Sequence, residues 1–137
     1  GLTAAQPPSL GDGTATVEVV SPDTDRLETE PGRFGTAATY LRLPDLVADV
    51  ETVTDHPRLV YRIAVPELDV EAVRTRLLEG PGRYRVSLPD HAFGPRGSAE
   101  GALPDPGTYS GRLVVRVQSF STDITVVNRT IRVRVTG

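Results

Sequence analysis

The chain has no cysteine, methionine or tryptophan, and its fifteen basic residues are all arginine. Without cysteine there can be no disulfide framework, thiol nucleophile or cysteine metal site, so packing alone must stabilise the fold. A chain of 137 residues is long enough for that. A domain of this size buries roughly two-thirds of its unfolded surface. Asn128 is the only asparagine. Arginine without lysine, together with scarce asparagine, reads as the codon bias of a GC-rich genome. No apolar run approaches the length of a membrane-spanning helix. The net charge of -3 is too small to point to nucleic acid or a membrane surface as partner.

What the chain does have is period-two alternation between turn signals. Thr14 to Val20 places Ala15, Val17 and Val19 on one face, and Ser21-Pro22-Asp23 ends the run. Thr36 to Leu43 and Arg58 to Val65 alternate in the same way, each closed by proline. Leu46 to Val53 fits a short helix or a strand, and its valine content favours a strand. Arg83 to Leu88 is a further strand, and Pro89 to Pro106 reads as a long loop. Asp69 to Glu79 is the one segment with helical spacing, in Val70, Val73 and Leu77. Asp69 could cap that helix, and Gly80-Pro81-Gly82 would end it.

Pro106 to Val135 carries the strongest alternation. Leu113, Val115 and Val117 share one parity, and the chain turns at Ser121-Thr122-Asp123. Ile124 and Val126 then lie on the opposite parity to Ile131, Val133 and Val135. One face cannot hold both groups without a bulge near Val127 to Arg129. About seven or eight short strands with little helix predict an all-β, antiparallel sandwich with one short helix. Residues 1–13 read as a flexible leader and 14–137 as the sandwich domain. The terminal hairpin, opening on Pro106-Gly107-Thr108-Tyr109, resembles the last two strands of secreted immunoglobulin-like and fibronectin-like domains. That resemblance implies immunoglobulin-like architecture and no particular activity.

Motifs for chemistry are few. Both histidines, His56 and His91, fall in expected loops beside aspartate, and no nucleophile elbow accompanies them. Asp23 and Asp25 could offer oxygens to calcium, but turn-forming aspartates account for the same letters. No glycine cluster has phosphate-binding spacing. The reading is therefore a non-enzyme without cofactor or metal. The arginine pairs Arg83/Arg85, Arg112/Arg116 and Arg132/Arg134 alternate with apolar residues. If their strands share a sheet, they form a cationic stripe facing acidic neighbours or solvent. Few aromatics interleave them, which argues against nucleic acid. Asn128-Arg129-Thr130 is an N-glycosylation sequon at the expected bend.

The proline- and glycine-rich leader resembles the linker that follows a signal-peptide cleavage site, which places the chain outside the cell. Thr14 to Val20 would be either the domain's own edge strand or a strand given to a neighbour, with Ala15, Val17 and Val19 filling the groove. In size, exported character and terminal layout the chain resembles donor-strand-joined subunits of archaeal extracellular threads and bundling pili. The resemblance implies a structural subunit of a filament or cell-surface layer, with other copies of itself as partners. The alternatives are a monomeric surface-binding module and an accessory domain of an exported machine.

Overall fold

Period-two patterning becomes strand along most of the chain in the computed structural model, which describes residues 13–32, 39–94, 102–120 and 122–136. The elements are β1 (Thr14–Ser21), β2 (Arg26–Pro31), β3 (Thr39–Leu41), β4 (Leu46–Thr54), β5 (Arg58–Val65), β6 (Val70–Leu77), β7 (Gly82–Val86), β8 (His91–Phe93), β9 (Gly107–Gln118) and β10 (Asp123–Val135). Residues 1–12 of the expected leader 1–13 lie outside the described residues, as does Thr36 to Ala38 of the expected second strand.

The strands form two sheets. The small one runs β1-β4-β7, and the large one runs β6-β5-β9-β10-β2-β3-β8 and curls like part of a barrel. All pairings between these strands are antiparallel except β10 with β2, which run parallel over Arg132↔Arg26 to Arg134↔Glu28. The all-β expectation holds.

The core lies between the sheets. Leu46, Ala48 and Val50 of β4 are buried in one cluster with Leu59, Tyr61 and Ile63 of β5, Leu113, Val115 and Val117 of β9, and Ile131, Val133 and Val135 of β10. Full burial of each such side chain is worth about 1.5–3 kcal/mol. Ala15, Val17 and Val19 pack against the same cluster, so β1 contributes its apolar face to its own domain. The parity conflict in β10 is resolved by a register break between Thr125 and Val127, just before the expected bend.

The expected helix is a correction. Val70 to Leu77 pairs with β5 along its whole length, from Val65↔Val70 to Arg58↔Leu77. Helical spacing gave way to a ladder with a strongly apolar partner, and the β-branched Val70 and Val73 suit that ladder. Asp69 does not cap a helix. It adopts a left-handed conformation (φ 55°) after the 3-10 turn Pro66–Leu68, and its N–H bonds Pro66 O at 3.1 Å. Aspartate tolerates that conformation, so the residue that suggested a helix start instead closes a hairpin. The expected loop Pro89 to Pro106 contains β8, which pairs with β3; residues 95–101 lie outside the described set. No helix among the described residues is long and apolar enough to cross a membrane.

Candidate functional site

The expected arginine stripe divides between the two sheets. Arg83 and Arg85 lie on β7 in the small sheet, where aspartates on or beside β4 neutralise them. Arg83 forms a two-pronged pair with Asp49, Nε to Oδ1 at 2.7 Å and Nη2 to Oδ2 at 3.0 Å. Asp49 and Arg83 stand directly opposite in the ladder. Hydrogen bonding from Arg83 holds the Asp49 carboxyl below the usual carboxylate range. Arg85 donates to Asp45 at 3.0 Å.

The other four arginines are on β9 and β10 of the large sheet. Arg116 pairs with Asp123 at 3.6 Å. Arg112 donates to Asn128 Oδ1 at 3.3 Å and to Thr130 Oγ1 at 3.4 Å. Arg132 and Arg134 form no ion pair with a described residue, and neither does Arg26. The parallel register sets Arg26 beside Arg132, and the antiparallel register sets Thr108 beside Arg134 and Ser110 beside Arg132. All five side chains share the exposed outer face of the sheet.

Arg26, Leu27, Thr108, Arg132 and Arg134 line a shallow depression of about 210 Å³. A second, of about 440 Å³, shares Thr108 and Arg134 and adds Pro106, Gly107, Val135 and Thr136. A third, of about 260 Å³, is lined by Pro66, Ser110, Gly111, Arg112 and Thr130. Arginine and hydroxyl groups recur in the three, and no aromatic side chain among the described residues lines any of them.

The backbone beneath Arg26, Arg132 and Arg134 is pinned. Arg132 N donates to Asp25 O at 2.8 Å. Thr24 Oγ1 accepts from Arg26 N and donates to Arg26 O. The Arg129 guanidinium reaches Pro22 O at 3.1 Å and Thr24 O at 3.4 Å, fastening the β1–β2 turn to β10. Thr29, buried below the face, donates to Arg134 O and accepts from Thr136 N.

The remaining sequence candidates are scattered. Asn128 is exposed near the middle of β10, six residues before Arg134 and on the same parity. His56 is exposed in the turn after β4, and the His91 ring meets the Phe93 ring at a tilt of 59°, centroids 4.6 Å apart. Asp23 and Asp25 are exposed between β1 and β2. Among the described residues no group of three or more histidines and carboxylates could hold a metal ion. Arg26 was missed by sequence reading, because the strand around it has a single large apolar residue, Leu27, inward. Its one signal was the Arg-Leu-Glu alternation.

No family model, curated protein or solved structure matches this chain.

Proposed function

We propose that this chain is an exported, non-catalytic module of immunoglobulin-like sandwich type, which works at the cell surface by holding an acidic neighbour against the outer face of its large sheet. One observation carries the proposal. The small sheet's arginines are neutralised by the chain's own aspartates, whereas Arg26, Arg132 and Arg134 form no ion pair with a described residue, although Glu28 stands opposite Arg134 in the register. A cationic face on a chain of net charge -3 is an uneven distribution, of the kind that steers charged partners.

Two features support the immunoglobulin-like assignment. Two sheets pack over one core, and Tyr109 Oη donates to Asp105 O, four residues upstream, at 2.7 Å. Such a tyrosine at the start of a strand is a corner device of these sandwiches. An N-glycan on Asn128 would stand on the same face, and intact-mass measurement on protein from its native host would detect it or its absence.

The test uses a carboxymethyl resin at neutral pH and low salt. The wild type should be retained despite its net negative charge. R132E/R134E should flow through, while R58Q, which lies toward the other edge of the sheet, should stay bound. Flow-through of the wild type would refute the binding face.

A second reading, a filament or surface-layer subunit joined through its N-terminal strand, is favoured by the position of β1. It is an edge strand, and its pairing with β4 is broken at Thr16/Val17 and at Val19/Ser21. Strand exchange would require β1 to leave β4. Thr16 and Thr52 face each other with their hydroxyls 2.9 Å apart, a suitable place for an engineered disulfide. In T16C/T52C, oxidation should abolish any assembly seen by light scattering, and reduction should restore it. Assembly unaffected by oxidation would exclude exchange of β1.

A further inference from the structure

We propose that Arg26, Arg132 and Arg134, with Thr108, form a seat for a carboxylate or sulfate group of an acidic polysaccharide. The inference rests on the binding face proposed above and names its site and ligand class.

Like charges on adjacent strands destabilise a sheet. Arg26 and Arg132 are in register on neighbouring strands, about 4.8 Å apart, and Arg134 follows on the same face about 6.6 Å along β10. Glu28 is opposite Arg134 in the register, yet it forms no ion pair with it. The cluster therefore costs the isolated fold stability, and a bound oxyanion would relieve that cost. Guanidinium groups offer paired donors matched to carboxylate and sulfate oxygens. The three line a single depression whose rim carries the Thr108 hydroxyl. Arg129, Thr24 and Thr29 hold the backbone under them, so the ordering left for the moment of binding is that of the arginine side chains themselves.

The surroundings select the partner. β10 is paired on both sides over Arg132 to Arg134, so a peptide cannot add as a strand there. No aromatic among the described residues lines the depressions, so these residues give bases nothing on which to stack. A protein interface would also want a buried aromatic or apolar anchor, and the lining offers only Leu27, half-buried. What remains suits a hydrophilic chain with charges on its periphery. Ser110, Arg112 and Thr130 continue the arginine-and-hydroxyl lining into the third depression, giving such a chain a path along β9 and β10.

The test is calorimetric titration of the intact chain with oligogalacturonate, and separately with heparin oligosaccharide, neutral dextran, single-stranded DNA and polyglutamate. Oligogalacturonate or heparin should bind, and dextran should not. The tighter of the two charged sugars identifies carboxylate or sulfate as the seated group. R26K/R132K/R134K keeps the charge but loses the forked donors. It should weaken sugar binding about 10-fold or more while remaining on the carboxymethyl resin. If the triple variant unfolds, the three single lysine variants carry the same comparison. Unchanged affinity in the lysine variants would overturn the seat and leave the cationic face standing. Binding of DNA or polyglutamate in preference to both charged sugars would overturn the ligand class. Loss of resin retention by the wild type would instead refute the underlying face.

Discussion

Replacing Tyr61 with alanine is expected to lower the unfolding free energy by about 3–5 kcal/mol, the usual cost of removing a buried aromatic ring. Tyr61 is fully buried in β5 and belongs to the central cluster. Its hydroxyl donates to Pro44 O at 2.7 Å, on the connection that carries the chain from β3 in the large sheet to β4 in the small one. The side chain therefore fills the core and ties the sheets together. Tyr61→Phe keeps the ring and strands the Pro44 carbonyl, so it should cost about 1–3 kcal/mol. Urea unfolding of the three proteins checks both values.

The same residue carries a pH signature. Burial pushes the Tyr61 phenol well above its ordinary value, with the Asp45 charge adding to the effect. The unfolded phenol titrates near pH ~10. The folded value is higher, so the contribution is fully present below the unfolded pKa and is lost as pH rises from there through the folded pKa. Stability should fall in that alkaline range, and Tyr61→Phe should remove this part of the fall. An identical alkaline profile in the variant would contradict the assignment.

The second large effect is at Gly111, where β9 passes close to β5. A Cβ there would meet Ala64 O at 2.7 Å, Val65 Cγ2 at 2.8 Å and Ile131 Cγ1 at 3.1 Å. The nearest obstacle is backbone, which cannot rotate away as a side chain can. Any side chain must push β5 from β9 and weaken the ladder that runs from Arg58↔Gln118 to Ala64↔Arg112. Gly111→Ala should cost about 1–3 kcal/mol, as overpacked cores do, and Gly111→Val should cost more. Gly80 provides the contrast, since nothing lies within 4 Å of a Cβ built there. Gly80→Ala should stay within about 0.5 kcal/mol of the wild type, as most surface changes do. Thermal unfolding of the set reads the difference.

Strands whose inward positions are all apolar were legible in the sequence. Leu59, Tyr61, Ile63 and Val65 of β5, Leu113, Val115 and Val117 of β9, and Ile131, Val133 and Val135 of β10 hold one parity each, and the parity conflict at Ile124 and Val126 announced the bulge. Two kinds of segment were not legible. β6 is an edge strand with only Val70 buried and Ala72 half-buried, so its apolar spacing mimicked a helix. β2 has one large apolar inward residue, and its other inward position is Thr29, whose hydroxyl is satisfied by the last strand and the residue after it. Its partnership with β10 joins residues more than a hundred positions apart. The same distance hid the binding face. Arg132 and Arg134 could be read from β10 alone, whereas Arg26 joins them only through the parallel pair. Nor could the sequence reveal that Arg83 meets Asp49, 34 positions away, and so leaves the stripe.

The division of the arginines between those the chain neutralises itself and the unpaired group of Arg26, Arg132 and Arg134 is the central claim. Chemical-shift mapping of the isotopically labelled chain during titration with oligogalacturonate, or with heparin oligosaccharide where that is the tighter ligand, tests it most directly. Saturable shifts should gather on β2, β9 and β10 around Arg26, Thr108, Arg132 and Arg134, and R132E/R134E should lose them. Shifts centred instead on β7 around Arg83 and Arg85, or none up to high ligand concentration, would contradict the account.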